Sequence, residues 1–453
     1  MVIGDVMKLS RKINVRNISY LALTGGINNS VSGDLIADNE VQECENLIYD
    51  ADSKTLTKRG GLSSAQISFD YDILKIFYDY EINIYFVFLV NGDIYKTDLN
   101  VINRSYIGKL AGNLPPICCK FGNSVWIASG DKLQFYNYLE KIQTVENSPL
   151  CDIVFERCGR LVVALAGDDN LHYSGVGDGE FWEENTDDDS AAVFLEIGYK
   201  DGGNIVAVLP LATDIIVLKS NGHVYQVTGE YPSWGVYLVG RFTDANYRFC
   251  AANIGNEIVF VSKRGLRTVF ATQDYGNIQT SDIGDRFNSL ITKSVHNPTV
   301  WHLKRQNSLL IRPAEGSYFI MYNYAVKGAT VLTFPYSITD VAESLDGMVV
   351  AIGNSLHFWN RQYVNDNGKP IIWKIRPKKH LTTDKFLINR VDTNFGASFS
   401  GEVDLNIGQL NLKMPTLRRR IVKTNYSLSE IDLKLSSADD VIFNHVILEV
   451  ADI

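Results

Sequence analysis

Cysteine, excess basic charge and long apolar runs are all in short supply here, and each shortage removes a class of protein. The six cysteines among 453 residues are Cys44, Cys118, Cys119, Cys151, Cys158 and Cys250. None forms a CxxC pair or a Cys/His cluster at zinc spacing, so they read as free, mostly buried thiols of a reducing compartment. No run approaches the ~18 consecutive apolar residues of a membrane-spanning helix, and the opening MVIGDVMKLSRKINVRN lacks the apolar centre of a secretory leader. The expectation is a chain with no membrane span, made in the cytoplasm. Basic residues number 43 against 52 acidic, a formal net charge of −9. That balance argues against holding nucleic acid by neutralising phosphates, and is compatible with a surface that DNA passes without sticking. There is no GxSxG elbow, no P-loop, no HxH or HExxH, and no GxGxxG that follows a strand and opens a helix.

What is present is aromatic and periodic. Hydrophobic residues make up 45% of the chain, and 23 Tyr and 21 Phe lean it toward strands, because such side chains fit a pleated surface. A short apolar strand, a Gly/Asn/Asp turn and an aliphatic-aromatic pair recur in seven copies, at 86–95, 125–135, 161–173, 215–225, 258–270, 309–319 and 348–358. Their mean spacing of about 44 residues is that of a propeller blade. Each copy reads as one hairpin, and most follow a further short strand, giving blades of three or four strands. Radial stacking buries both faces of such sheets and protects their edges, so the expected architecture is a mainly β chain with a β-propeller of about seven blades; an open solenoid is the alternative. Residues 381–453 break the period and read as a small C-terminal β-sandwich or barrel-like domain. The division is then 1–66 as an N-terminal arm with a short helix and strand, 67–380 as propeller, and 381–453 as the cap. The helix is placed after Asp38, with Val41, Cys44, Leu47 and Ile48 on one face. Whether Val15 to Leu23 completes the last blade or pairs elsewhere is open at this level.

Several stretches invite chemistry. The carboxylates of EFWEEN (Glu180 to Asn185) and DDDS (Asp187 to Ser190) are of a kind used by glycosidases and calcium sites, but match no EF-hand spacing and read as a solvated loop. SGVGDGEFW (Ser174 to Trp182) approaches the Asp-box of sialidase propellers, yet Val176 stands where its Asp belongs and Asp178 where its Gly belongs. His172 and His357 fall at one place in the repeat, with Gln134 in the same place of another copy and His223 close by, as a polar strand face would. Two basic clusters, Arg376 to Lys379 and Arg418 to Arg420, suit subunit contact or strand-edge protection better than DNA. No catalytic, cofactor-binding or metal-binding residue is assigned, and the chain reads as a non-enzyme.

The stretch from Gly25 to Gly61 resembles the N-terminal signature of tail proteins from short-tailed, podovirus-like phages. Its elements are Gly25-Gly26, Leu35 to Glu40, Asn46 to Asp50 and Leu56 to Gly60. LHYSGVGDGEFWEE (171–184) is similar to a Tyr-Ser-x-x-Gly-Asp-Pro-x-x-Trp phrase of the same proteins, with Gly179 for the Pro, and VFVSKRGLRTVF (259–270) looks like a third shared phrase. The family is the tail nozzle or hub type, including tail tubular protein B and packaged-DNA stabilisation proteins. The resemblance implies a structural virion protein without chemistry of its own, a homohexameric ring below the portal and its adaptor that conducts and retains genomic DNA. Tail fibres, tailspikes or a needle would be its other partners. The alternative is a tail-associated propeller glycosidase or lyase acting on host surface polysaccharide, motivated by the acidic loop at 178–189.

Overall fold

The computed structural model describes residues 15–452, apart from 140, 166, 186, 212, 242–246, 272–277 and 317. The reading of the N-terminus as free of a leader falls chiefly on residues 1–14, outside the described residues. Two compact units are present: Gly60–Ala325 with Val331–Pro370, and Met1–Arg59 with Val326–Thr330 and Ile371–Ile453.

The first of these is a seven-bladed β-propeller. Blade one is the antiparallel sheet Ile73–Asp79, Ile84–Leu89, Asp93–Thr97 and Arg104–Lys109, and the same four-stranded order repeats at 117–144, 153–196, 205–241 and 251–282, with Thr299–Leu303, Ser308–Arg312 and Tyr318–Asn323 as the strands of blade six within this unit. All seven hairpins read from the repeat are the second and third strands of blades. Alternation within one strand explains the unbroken apolar runs. Tyr85, Val87 and Leu89 enter the layer shared with the last blade, while Phe86 and Phe88 enter the layer shared with blade two. Leu161 and Val163 likewise face blade two, and Val162 and Ala164 face blade four. A strand buried on both faces has no polar side to show. The turns use a common device: the side-chain oxygens of Asn91 and Asn221 accept the amides of Asp93 and His223 at 3.1 and 3.0 Å, around Gly92 and Gly222 at φ of 89° and 85°.

Ring closure settles the question of the last blade. Its three strands, Asp340–Ser344, Gly347–Ile352 and Ser355–Asn360, are completed by Gly61–Leu62 and Ile67–Ser68, which pair with Ser355–Asn360. Val15–Leu21 pairs instead along Ile442–Asp452.

The second unit is a β-sandwich containing the first and the last of the described strands. One sheet holds Val15–Leu21, Leu47–Tyr49, Leu56–Lys58, His380–Gly396, Arg420–Ile431 and Ile442–Asp452. The other holds Gly26–Ile27, Glu40–Glu45, Trp373–Pro377, Glu402–Ile407, Leu410–Pro415 and Leu433–Ser437. Phe386, Ile388, Val391 and Phe395 on one sheet, and Val403, Leu405 and Ile407 on the other, are fully buried. The N-terminal segment is therefore not a separate arm but part of the unit that also holds the C-terminal strands. The unit boundaries fall at 59/60 and 370/371 rather than at 66/67 and 380/381.

The helix expected after Asp38 is a strand, Glu40–Glu45. A bulge between Val41 and Glu43 shifts its register against Trp373–Pro377, which leaves Val41 and Cys44 both buried three residues apart. One extra residue in a strand thus imitates helical spacing. Helix among the described residues is confined to Asn288–Thr292 and a 3-10 turn at Lys304–Gln306.

Candidate functional site

The innermost strands of the propeller converge on a central cavity of about 290 Å³, lined from blades one to six. Most of its wall is apolar, as the inward faces of these strands dictate. Two cations interrupt it. Lys75, on the innermost strand of blade one, donates to Asp340 Oδ1 of blade seven at 2.9 Å. Arg248, on the connection into blade five, reaches to blade three, where its Nη2 donates to the Asp152 carbonyl and its Nε lies 3.3 Å from Asp152 Oδ2. Both cations sit against the Phe249 ring, Lys75 Nζ at 4.9 Å and Arg248 Cζ at 5.0 Å from its centroid. Burial lowers the Arg248 pKa, and Asp152 opposes that shift. Asp340 also accepts the Ile76 amide and the Trp301 indole N–H, both at 2.7 Å.

The sequence reading missed these four charged residues. A signal existed: Asp152 and Asp340 each stand before an aliphatic residue at the start of an innermost strand, in CDI and TDV. An acidic residue kept at one place in a repeat of apolar strands is expensive to bury unless it is paired.

The residues that were singled out prove to be engaged locally. In SGVGDGEFW, Trp182 packs among Trp126, Leu133 and Leu161 and donates to the Gly179 carbonyl at 2.9 Å. Gly179 lies under Trp126, where a Cβ would come within 2.6 Å of ring carbon Cη2, so the phrase seals the layer between blades two and three. Around it two of the carboxylates cap their own turns. Asp178 accepts the Glu180 amide at 2.9 Å, and Asp188 accepts the Ser190 amide at 2.9 Å and its hydroxyl at 2.6 Å. The Ser190 bonds hold the Asp188 carboxyl below its ordinary range. Arg160 closes the loop from beneath, donating to the carbonyls of Ser174 and Ala191 at 2.6 Å each and to that of Asp189.

The histidines are distributed over three blades. His172 lies 4.0 Å from Asp168, His223 Nδ1 lies 2.9 Å from Asp201, and buried His357 Nδ1 lies 2.9 Å from the Ser63 carbonyl on the strand that closes the ring. Among the described residues no group of three or more His, Cys, Asp or Glu is placed to hold a metal ion.

The first basic cluster is matched by acids within the sandwich, the second at one residue of three. Arg376 makes a two-point contact with Asp432, at 2.8 and 2.7 Å, and reaches Glu43 at 3.3 Å. Lys378 pairs with Asp38 at 2.9 Å and Lys379 with Glu430 at 2.6 Å. Arg419 grips Asp392 at 2.9 and 2.6 Å, leaving Arg418 and Arg420 exposed beside it.

The Gly25 to Gly61 stretch is built inward as well. Gly26, at φ 70°, approaches Gly328 so closely that a Cβ would lie 2.7 Å from its Cα. Glu40 accepts from Asn28 Nδ2 at 2.7 Å and the Ala37 amide at 2.8 Å. Asn46, at φ 57°, accepts from Arg59 Nε at 2.9 Å and donates to the Ile372 carbonyl at 2.8 Å. Lys58 donates to the Ala438 carbonyl, and both Lys58 and Arg59 are buried.

No protein-family model matches the chain, and no curated protein matches it. Among solved structures, BamB from Moraxella catarrhalis is similar over 69% of this chain and 93% of its own, at 10% identity and a TM-score of 0.43. The β-propeller domain of Cps50 (Swd1) from Myceliophteria thermophila matches over 66% and 99%, at 11% identity and 0.46. U3-55K matches over 66% and 100%, at 10% identity and 0.45.

Proposed function

We propose that the protein is a structural subunit of a short-tailed phage virion, a component of the tail nozzle or hub that conducts and retains genomic DNA. The observation that carries this reading is the fate of Gly25 to Gly61. The residues that bear the resemblance, Gly26, Asn46, Lys58 and Arg59, are all engaged in folding the sandwich, as in a scaffold rather than a substrate site. The carboxylates of the 178–189 loop, the motive for an enzyme, are turned in part to their own backbone.

The propeller's own cavity, at about 290 Å³, is far too small for a duplex. The conduit in this reading is the lumen of a ring of subunits, a homohexamer closed by head-to-tail contacts between two different patches of each copy. An acidic chain, with Arg376 and Arg419 of its basic clusters already paired to Asp432 and Asp392, gives such a lumen little grip on phosphates, since each phosphate contact adds affinity by counterion release. The ring would meet the connector or adaptor above and fibres, tailspikes or a needle below.

Electron microscopy of the purified protein and of virions tests this. Rings with a channel wide enough for duplex DNA, located in the tail, are the expected result. A protein that stays monomeric at high concentration and is missing from purified virions overturns it.

A further inference from the structure

We infer that the central cavity of the propeller is a binding site for a small organic anion with an apolar body, such as an aryl or short alkyl carboxylate. The argument begins with the order in which charges meet the cavity. Side-chain exposure is 20% for Lys75 and 16% for Arg248, against 2% and 0% for their partners Asp340 and Asp152. The carboxylates lie behind the cations, so an entering group meets an ammonium and a guanidinium first. A low-dielectric wall amplifies that difference.

Neither cation has its donors filled. An ammonium carries three N–H groups. Lys75 donates one to Asp340 and turns toward the Phe249 face, which leaves hydrogen-bonding capacity toward the cavity. Arg248 carries five N–H groups, and one on Nη2 is given to the Asp152 carbonyl; its Nε–H, fully buried beside Asp152 Oδ2 at 3.3 Å, is out of a ligand's reach, so the donors left for the cavity are the remaining ones on Nη1 and Nη2. Both groups have already lost most of their water, so an acceptor that reaches either one restores bonds that burial removed.

The rest of the wall sets the ligand's other end. Ile117, Val154, Leu209 and Val300 surround the same space as Phe249. An inorganic anion would leave that surface in contact with water, whereas an aryl or alkyl body covers it. The volume is near the lower limit of small-molecule pockets, which restricts the body to about one ring. This inference is independent of the assembly role proposed above.

Isothermal titration calorimetry on the full-length protein with phenylacetate, phenylethanol and phenethylamine tests it, since the three share a body and differ in charge. Phenylacetate is expected to saturate one site and bind at least about tenfold more tightly than the alcohol, with the amine weakest. Lys75→Gln and Arg248→Gln should each weaken phenylacetate by about tenfold or more. Because those changes disturb buried ion pairs, Ala251→Leu serves as a second variant. It narrows the cavity from a lining position that belongs to neither pair, and should weaken phenylacetate binding by about tenfold or more while circular dichroism remains that of the parent. Equal affinity for acid and alcohol, no saturable heat with phenylacetate at millimolar concentration, or unchanged binding in folded Ala251→Leu would each overturn the inference.

Discussion

Asp340 on the innermost strand of blade seven accepts the backbone amide of Ile76 on the innermost strand of blade one at 2.7 Å, across the seam where the ring closes. The same carboxylate takes Lys75 at 2.9 Å and, from blade six, Trp301 at 2.7 Å, so one side chain ties three blades. Its exposure is only 2%. Removing it leaves three donors without their acceptor, one of them a mostly buried ammonium. Asp340→Ala is therefore expected to cost about 3 kcal/mol, and Asp340→Asn less, because the amide oxygen still accepts from Ile76. Urea titration of the propeller transition checks both. Equal losses in the two variants would show that the acceptor at Ile76 contributes nothing.

The strand that completes blade seven depends on backbone approach. The Gly61 amide donates to the Tyr363 carbonyl at 2.7 Å, and a Cβ on Gly61 would lie 2.7 Å from that same oxygen and against the Asn365 carbonyl. Next to it Leu62 pairs with Trp359, each 1% exposed, and Trp359 Nε1 donates to the Gly60 carbonyl at 3.0 Å. Gly61→Ala should lower the thermal midpoint, at a cost of about 2–3 kcal/mol. Limited proteolysis should show earlier cleavage at 61–68 than in the parent. A variant with the parent's midpoint and cleavage pattern would mean that this segment does not close the ring.

How much of this was legible depends on sequence separation. The seven hairpins were readable because each is local: two strands, one turn with Gly, Asn or Asp, and burial on both faces. The closing segment was not, since Gly61–Leu62 and Ile67–Ser68 are too short to show a period and pair with residues about 290 positions away. Glu40–Glu45 was misread because its bulge imitates helical spacing. The charged residues of the cavity were missed for the first reason again. Lys75 and Asp340 are 265 residues apart and acquire meaning only when the ring closes. By contrast, the acidic run at 178–189 stood out through composition alone, which says nothing about whether its carboxylates cap their own turns.

Cys158 should be the one rapidly reactive thiol of the native protein. It is exposed, whereas Cys44, Cys151 and Cys250 are buried and Cys118 and Cys119 half-buried. Burial and then the neighbouring Glu230 still raise its pKa, so its reaction with Ellman's reagent should accelerate as pH rises. Cys158 also occupies the first position of a two-residue turn with Gly159, at φ of 51° and 72°. That conformation suits Asn better than Cys, so Cys158→Asn should abolish the fast phase and raise stability by about 0.5 kcal/mol. A fast phase that survives in this variant would assign the reactivity to another thiol.

Acid sensitivity should trace in part to Asp201. Lys219, with a fully buried side chain, is held between Asp201 Oδ1 and Asp169 Oδ1 at 2.7 Å each, and it donates to the Ile197 and Gly198 carbonyls at 2.9 and 3.2 Å. Asp201 also receives His223 Nδ1 and the Tyr225 hydroxyl at 2.9 Å each, and the Gly203 amide at 3.0 Å. Burial alone would raise its pKa, but the bonds from Lys219, His223, Gly203 and Tyr225 together bring it well below the ordinary value. A carboxyl whose folded pKa lies below its unfolded one of about 3.9 contributes stability that is fully present above that value. The contribution is lost as pH falls from there through the folded pKa. Asp201→Asn should thus be less stable than the parent at neutral pH, with the gap in thermal midpoint narrowing below about pH 4. Tyr225, pushed up to about 12 by burial and by Asp201, should titrate at lower pH in the same variant. A gap that stays constant from neutral pH into the acid range would show that Lys219 and its carboxylates contribute through packing rather than through charge.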